Sequence, residues 1–138
     1  SALAVTTSAR SCVRLLGKQC EASQVAADVQ SNVCWALLVS LAEPTGNLHW
    51  DGALVEPQSG SATNIAWISR DSSKPGRSLP ECWVLHASPE WSNPRATWSK
   101  AHVVEALSAD FQRLLGKEKL HVLYAEAFRW NNAFPLNP

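Results

Sequence analysis

Residues 32–41, NVCWALLVSL, are apolar at both parities. In an extended chain successive side chains point to opposite faces. Val33, Trp35, Leu37, Val39 and Leu41 therefore share one face, and Cys34, Ala36 and Leu38 coat the other. A strand apolar on both sides belongs in the middle of a sheet or under a second layer.

The other elements are arranged around that strand. Residues 3–6 read as a short entering strand, and 8–16 as a helix with Ser8 as N-cap and Gly17 just past its end. Residues 22–30 make a second helical segment whose apolar face, Val25 and Val29, is thin. Glu43-Pro44-Thr45-Gly46-Asn47 has turn chemistry, so 48–55 is expected to run back as a hairpin partner. Residues 58–62 read as a polar Gly/Ser loop, and 64–70 and 81–87 as two further strands. Ser99 is expected to cap a helix running to about residue 115, with Val104, Leu107, Phe111 and Leu114 forming its sheet-packing stripe. Residues 120–128 read as the last strand. The expected fold is α+β: a mostly antiparallel sheet of about five strands, a long C-terminal helix across one face, and one or two short N-terminal helices.

RLLGK occurs at 14–18 and again at 113–117, but the flanking residues do not match. Both copies end a helix, where Gly takes the left-handed cap and cations complement the C-terminal dipole. Shared capping chemistry accounts for the repetition without a duplicated unit.

Composition narrows the function classes. At 138 residues the length suits one domain. With 46% hydrophobic and 17% charged residues the chain has the makings of a packed core. No apolar run approaches the roughly 18 residues that a membrane-spanning helix requires, so no membrane partner is expected. Twelve Lys and Arg balance twelve Asp and Glu without clustering, which argues against nucleic acid. Cys12, Cys20, Cys34 and Cys82 follow no CxxC spacing and read as reduced thiols, and the start has no signal-peptide character. An intracellular location, cytoplasmic or organellar (plastid or mitochondrion), is expected.

Cofactor motifs are missing. The glycines at 17, 46, 52, 60, 76 and 116 form no GxGxxG. A P-loop would need a glycine five residues before Gly17 or Gly116, where Cys12 and Phe111 stand. This chain on its own is therefore expected to hold no dinucleotide. His49, His86, His102 and His121 are scattered, with neither HExxH nor an i,i+4 pair for a metal. Ser88, His86 and Asp71 could be assembled on paper as a hydrolase triad, but no GxSxG elbow presents a nucleophile.

Two places remain for ligand contact. In DSSKPGR, residues 71–77, the Pro75-Gly76 turn brings Lys74 and Arg77 together. The pair suits a phosphate or carboxylate, Arg as a bidentate fork and Lys as a point charge; it also suits an ordinary solvated turn. On the next strand His86 shares a face with Cys82 and Val84, opposite Trp83 and Leu85. Of the seven tryptophans, Trp35, Trp67 and Trp83 lie on strands and are expected in the core. Trp91 and Trp98 flank the loop before the long helix and are expected to seal the sheet edge.

Residues 66–91, AWISRDSSKPGRSLPECWVLHASPEW, resemble the substrate-binding domain of renalase-like, FAD-dependent amine-oxidase-family proteins. There a strand ending near DSSKPGR leads to one reading WVLHASPEWS. The resemblance runs from residue 3 to residue 130 and leaves out both flavin-binding parts of the family. It implies a flavoprotein oxidoreductase that oxidises an amine or a reduced nicotinamide-like substrate, with hydride passing to flavin and then to oxygen. The flavin carries that chemistry while the protein positions the substrate and keeps the cavity dry.

On this resemblance residues 1–138 are a single substrate-binding-like domain, a fragment with an irregular tail at 129–138. FAD is expected in the intact parent and none in this chain, which alone would be inactive. The resemblance implies Lys74, Arg77, His86, Trp91 and Trp130 as substrate-binding residues, Trp130 because a similar Arg-Trp segment precedes the family's return to the flavin domain. It implies no catalytic residue, cofactor ligand or metal ligand here. The partners would be the FAD-binding domain, in the parent chain or as a separate subunit, and a small-molecule substrate. The alternative is a stand-alone α+β interaction module docking through a Trp-rich sheet face.

Overall fold

The computed structural model describes residues 3–56 and 63–136. In chain order the elements are α1 (Ala9–Leu16), α2 (Glu21–Ala27), β1 (Ser31–Leu41), β2 (Gly52–Leu54), β3 (Ile65–Arg70), β4 (Glu81–Ala87), α3 (Pro89–Ser92), α4 (Lys100–Leu114) and β5 (Val122–Pro135). The strands form one sheet in the order β2-β3-β4-β1-β5. The pairings β2–β3, β3–β4 and β4–β1 are antiparallel. Ala42 N–H bonds to the His121 carbonyl at one end of β1, and Leu136 N–H to the Gln30 carbonyl at the other, so β5 also runs antiparallel to β1. Among the described residues no helix is long and apolar enough to cross a membrane.

Two compact units make up the chain, Ser1–Asn32 with Asn131–Pro138 and Val33–Trp130. In the first, α1 and α2 pack on each other. Gly17 closes α1 at φ +75°, its N–H bonded to the Val13 carbonyl at 3.2 Å. Gly removes the Cβ clash that this left-handed backbone imposes on other residues.

The second unit holds the apolar core. Trp35, Leu37, Val39 and Leu41 of β1 point inward with Trp83, Leu85 and Ala87 of β4, Ile65 and Ile68 of β3 and Ala127 of β5. Val103, Leu107 and Phe111 of α4 cover them, four residues apart and so on one side of a 3.6-residue helix. Trp83 lies against Phe111 at 5.5 Å and against Trp50 at 5.6 Å between ring centroids. Ser99 caps α4, its Oγ accepting from His102 N–H at 3.3 Å.

Several expectations are corrected. The class is α+β with a five-stranded antiparallel sheet, but the expected long C-terminal helix is not the C-terminal element. The 15-residue helix α4 is followed by β5, so the chain closes on a strand. The expected irregular tail is strand as far as Pro135, because backbone pairing beside β1 outweighs the local turn preference of Asn and Pro. Residues 48–55 shrink to β2, which pairs with β3 at the sheet's far edge and not with β1. Residues 3–6 form no strand. The expected loop at 58–62 lies outside the described residues. On α4, Val103 is fully buried while Val104 is only partly so, and Leu114 is exposed.

Candidate functional site

The sheet's inner face is the core, so a ligand-facing surface has to be sought on the outer face and at the strand ends. On β4 the inner positions Glu81, Trp83, Leu85 and Ala87 are buried, and the outer positions Cys82, Val84 and His86 are half-buried. The cross-strand register places Leu54, Trp67, His86 and Ala36 in one row across β2, β3, β4 and β1. The next row runs Gly52, Ser69, Val84, Leu38. Leu54 is 81% exposed and Leu38 42%, whereas Cys34 and Ala36 are buried on the same face.

Trp67 reaches that face through a β-bulge. Ile65 pairs with Ala87 and Trp67 with His86, so Ala66 is an extra residue on β3. Strict alternation would put Trp67 beside Ile65 in the core. The inserted residue instead turns Trp67 outward and returns Ile68 to the core. The expectation of a core Trp67 is thereby corrected. The Trp67 and His86 rings lie 5.0 Å apart at 36°. Burial holds the imidazole below its ordinary pKa of 6.5, because the protein solvates the imidazolium less well than water does. His86 is therefore a neutral hydrogen-bonding group beside an indole.

At the end of the sheet where β3 passes to β4, Asp71 collects both cations of the loop. Lys74 Nζ donates to its Oδ1 at 2.6 Å and the Arg77 guanidinium to its Oδ2. Gly76 makes the turn at φ +78°, and Ser73 Oγ donates to the Arg70 carbonyl at 2.8 Å. Lys74 and Arg77 do converge, but on their own carboxylate. At the start of β4, Glu81 is 5% exposed, and its Oε1 accepts from Thr45 N–H at 3.1 Å, Thr45 Oγ1 at 2.7 Å and Trp83 Nε1 at 2.7 Å. A carboxylate with three donors is well satisfied, and it anchors the turn after β1 to the start of β4.

The Ser-Pro-Glu-Trp corner is built inward. Ser88 Oγ caps α3 by accepting from Trp91 N–H at 3.2 Å, with Pro89 in the first turn where no N–H is needed. Ser92 Oγ and Asn93 Oδ1 accept from the N–H groups of Trp35 and Val33, and Trp35 Nε1 donates to the Arg95 carbonyl at 2.9 Å. The Arg95 guanidinium lies 5.0 Å from the centroids of both Trp91 and Trp98. Trp91 is thus a core residue of the clasp that holds the start of β1. A cleft of about 540 Å³ runs past Ser88, Pro89, Trp91 and Arg95, and Lys74, Arg77, His86 and Trp130 take no part in lining it.

Trp130 lies on β5, 53% exposed, edge-on to Phe128 at 4.8 Å. Ala127 is in the core and Ala125 packs against it, so by alternation Tyr124, Glu126, Phe128 and Trp130 point to the outer side. Between them Arg129 turns inward, its guanidinium 5.8 Å from the Trp35 ring and bonded to the Ala96 carbonyl. The five residues implied by the family resemblance therefore divide. His86 and Trp130 belong to the outer side, Lys74 and Arg77 to one loop, and Trp91 to the interior. Trp67 and Glu81 were missed, since a bulge leaves no mark in the residue pattern and a lone Glu on a strand reads as solvated.

The glycines bear on a dinucleotide. Among the described residues the positive-φ glycines are Gly17 and Gly116, each just past the end of a helix, and Gly46 and Gly76, in turns. None of these four opens a helix toward a pyrophosphate, so among the described residues no positive-φ glycine forms a cradle for a dinucleotide's phosphates.

No family model matches the chain. Its fold is similar to that of a protein from Exiguobacterium sp. 255-15 solved by crystallography at 2.06 Å and described as a "Putative protoporphyrinogen oxidase". The TM-score is 0.71 and the identity 12%, over 94% of this chain. The chain spans 28% of that protein's length. At such identity the likeness is one of fold, between this chain and one part of a much longer protein.

Proposed function

We propose that this chain is the substrate-binding domain of a renalase-like, flavin-dependent oxidoreductase, its outer sheet face forming one wall of the chamber over the flavin. The observation that carries the reading is the fold shared along 94% of this chain with 28% of a protein described as an oxidase. The DSSKPGR and WVLHASPEW segments support the same family from the sequence side. FAD, held by other segments of a longer protein, would supply the two-electron chemistry for an amine or reduced nicotinamide-like substrate. This chain would supply surface. Trp67 and Trp130 offer aromatic contact, and neutral His86 offers one hydrogen-bonding edge without a charge to desolvate. Lys74 and Arg77, already paired with Asp71, would brace the neighbouring segment more readily than capture an anion.

The docking-module reading loses its main support, because the tryptophans do not gather on one face. Trp35, Trp83 and Trp91 are buried, and Trp67 and Trp130 are the ones on the outer side.

The test has two arms. Mixed with excess FAD and desalted, this chain should retain no flavin absorbance; stoichiometric flavin would overturn the division of labour. A longer protein containing this chain and a glycine-rich βαβ unit should retain FAD and consume oxygen with an amine or dihydronicotinamide. There His86→Ala and Trp67→Ala should lower kcat/KM with flavin content unchanged. Turnover untouched by both would remove the outer face from the chamber.

A further inference from the structure

We infer that the free edge of β5, over Tyr124–Trp130, pairs antiparallel with the same edge of a second copy of this chain, making one sheet continuous across a twofold axis. The sheet has two edges in the order β2-β3-β4-β1-β5. The β2 edge is three residues long, a length that offers little to a partner strand. The β5 edge is long, and from Val122 to Trp130 it contains neither Pro nor Gly. At ~3.3 Å per residue it presents roughly 30 Å of backbone donors and acceptors on the side away from β1. Val122, Leu123, Tyr124, Phe128 and Trp130 are all exposed along it.

Among the described residues an ionic contact crosses this edge. Lys100, on the inner-face helix α4, reaches Glu126 on the outer side at 2.8 Å, and Tyr124 donates to the same carboxylate at 2.6 Å. All three groups are exposed, and such a pair contributes too little to hold off a full strand ladder.

The chemistry of the edge selects a copy of itself. A row of unpaired backbone groups is satisfied by a strand, and a twofold axis normal to the sheet lets one strand serve as its own complement. Residues facing each other across an antiparallel pair lie on the same side of the sheet. An axis through Ala127 therefore sets Tyr124 against Trp130 twice over and Glu126 against Phe128, with no like charges opposed. The segment carries one acid and one base, Glu126 and Arg129, each already engaged within its own chain. The whole chain balances twelve basic against twelve acidic residues, so neither an acidic nor a basic partner is favoured and two copies do not repel.

The full chain should sediment as a dimer, and the β5 amides should exchange hydrogen slowly at high concentration and faster on dilution. Phe128→Lys and Tyr124→Lys should each give a monomer with an unchanged circular dichroism spectrum. Leu38→Lys and Trp67→Lys, on the outer face away from the edge, should leave the dimer intact. A wild-type chain that is monomeric at its highest attainable concentration overturns the inference. So does a dimer that Leu38→Lys or Trp67→Lys dissociates, or one whose β5 amides stay unprotected. The wild-type mass and exchange data decide the matter even if a lysine variant fails to fold. None of these readouts involves flavin, so the pairing and the proposed function stand or fall separately.

Discussion

The indole Nε1 of Trp83 donates a 2.7 Å hydrogen bond to Oε1 of Glu81, two residues earlier on the same inward face of β4. The same oxygen takes both donors of Thr45, so one buried atom joins the turn after β1 to the strand that pairs with it. A buried acceptor shared three ways is costly to remove, because each donor left behind has lost water without regaining a partner. Glu81→Ala should destabilise the fold by about 2–4 kcal/mol, and Glu81→Gln, which keeps a carbonyl oxygen, by clearly less. Urea denaturation followed by tryptophan fluorescence checks the order. Equal losses from the two variants would show that the acceptor is not what matters.

The two faces of the sheet should answer differently to truncation. Leu85 is fully buried against the α4 layer, and Leu85→Ala should cost about 2–5 kcal/mol through lost transfer energy and the cavity left behind. Leu38, on the adjacent strand but the outer face, should lose less than about 1 kcal/mol on the same change. A large loss at Leu38 in thermal or urea melts would mean that the outer face is packed in solution.

Stability should depend on pH through His86. Its folded pKa lies below the ordinary 6.5 because burial disfavours the imidazolium. Between the two values the unfolded chain binds a proton that the folded chain does not, so stability is highest above about 6.5 and falls as pH drops toward the folded pKa. His86→Gln should flatten that part of the curve. Denaturation midpoints measured from neutral to mildly acidic pH give the result, and an unchanged slope would place the titration elsewhere.

The chain has a single tyrosine, which makes its titration unambiguous. The Tyr124 hydroxyl donates to Glu126, and both that bond and the carboxylate's charge hold the phenol above its usual pKa of 10.0. Lys100 and Tyr124 together hold Glu126 below its usual 4.5. Glu126→Gln should bring the tyrosine titration down toward the free value, read by ultraviolet difference spectroscopy. A midpoint that does not move would mean that the pair is not formed in solution.

Much of the candidate surface could be read from residues alone, though unevenly. His86 was placed correctly opposite Trp83 and Leu85, because alternation on β4 is unbroken. The DSSKPGR turn was visible through Pro75 and Gly76, and the cap of α4 through Ser99. The clasp of Ser92, Asn93 and Arg95 on β1 was not visible, since its members lie about 60 residues from their partners.

Alternation, capping and turn chemistry depend on a residue and its near neighbours, and from these the sequence by itself determined an α+β chain, the extents of β1, β3 and β4, and the helix beginning after Ser99. Only the tertiary structure decided that Trp67 faces outward, that β2 pairs with β3 at the far edge, that β5 continues to Pro135, and that Asp71 takes the charges of Lys74 and Arg77. The strand pairings turn on which distant backbone supplies the missing hydrogen bonds, whereas the Asp71 pairs, within one loop, turn on how the chain folds around Pro75 and Gly76. Local pattern carries no such information, because register and pairing are settled by contacts that form only when the sheet closes.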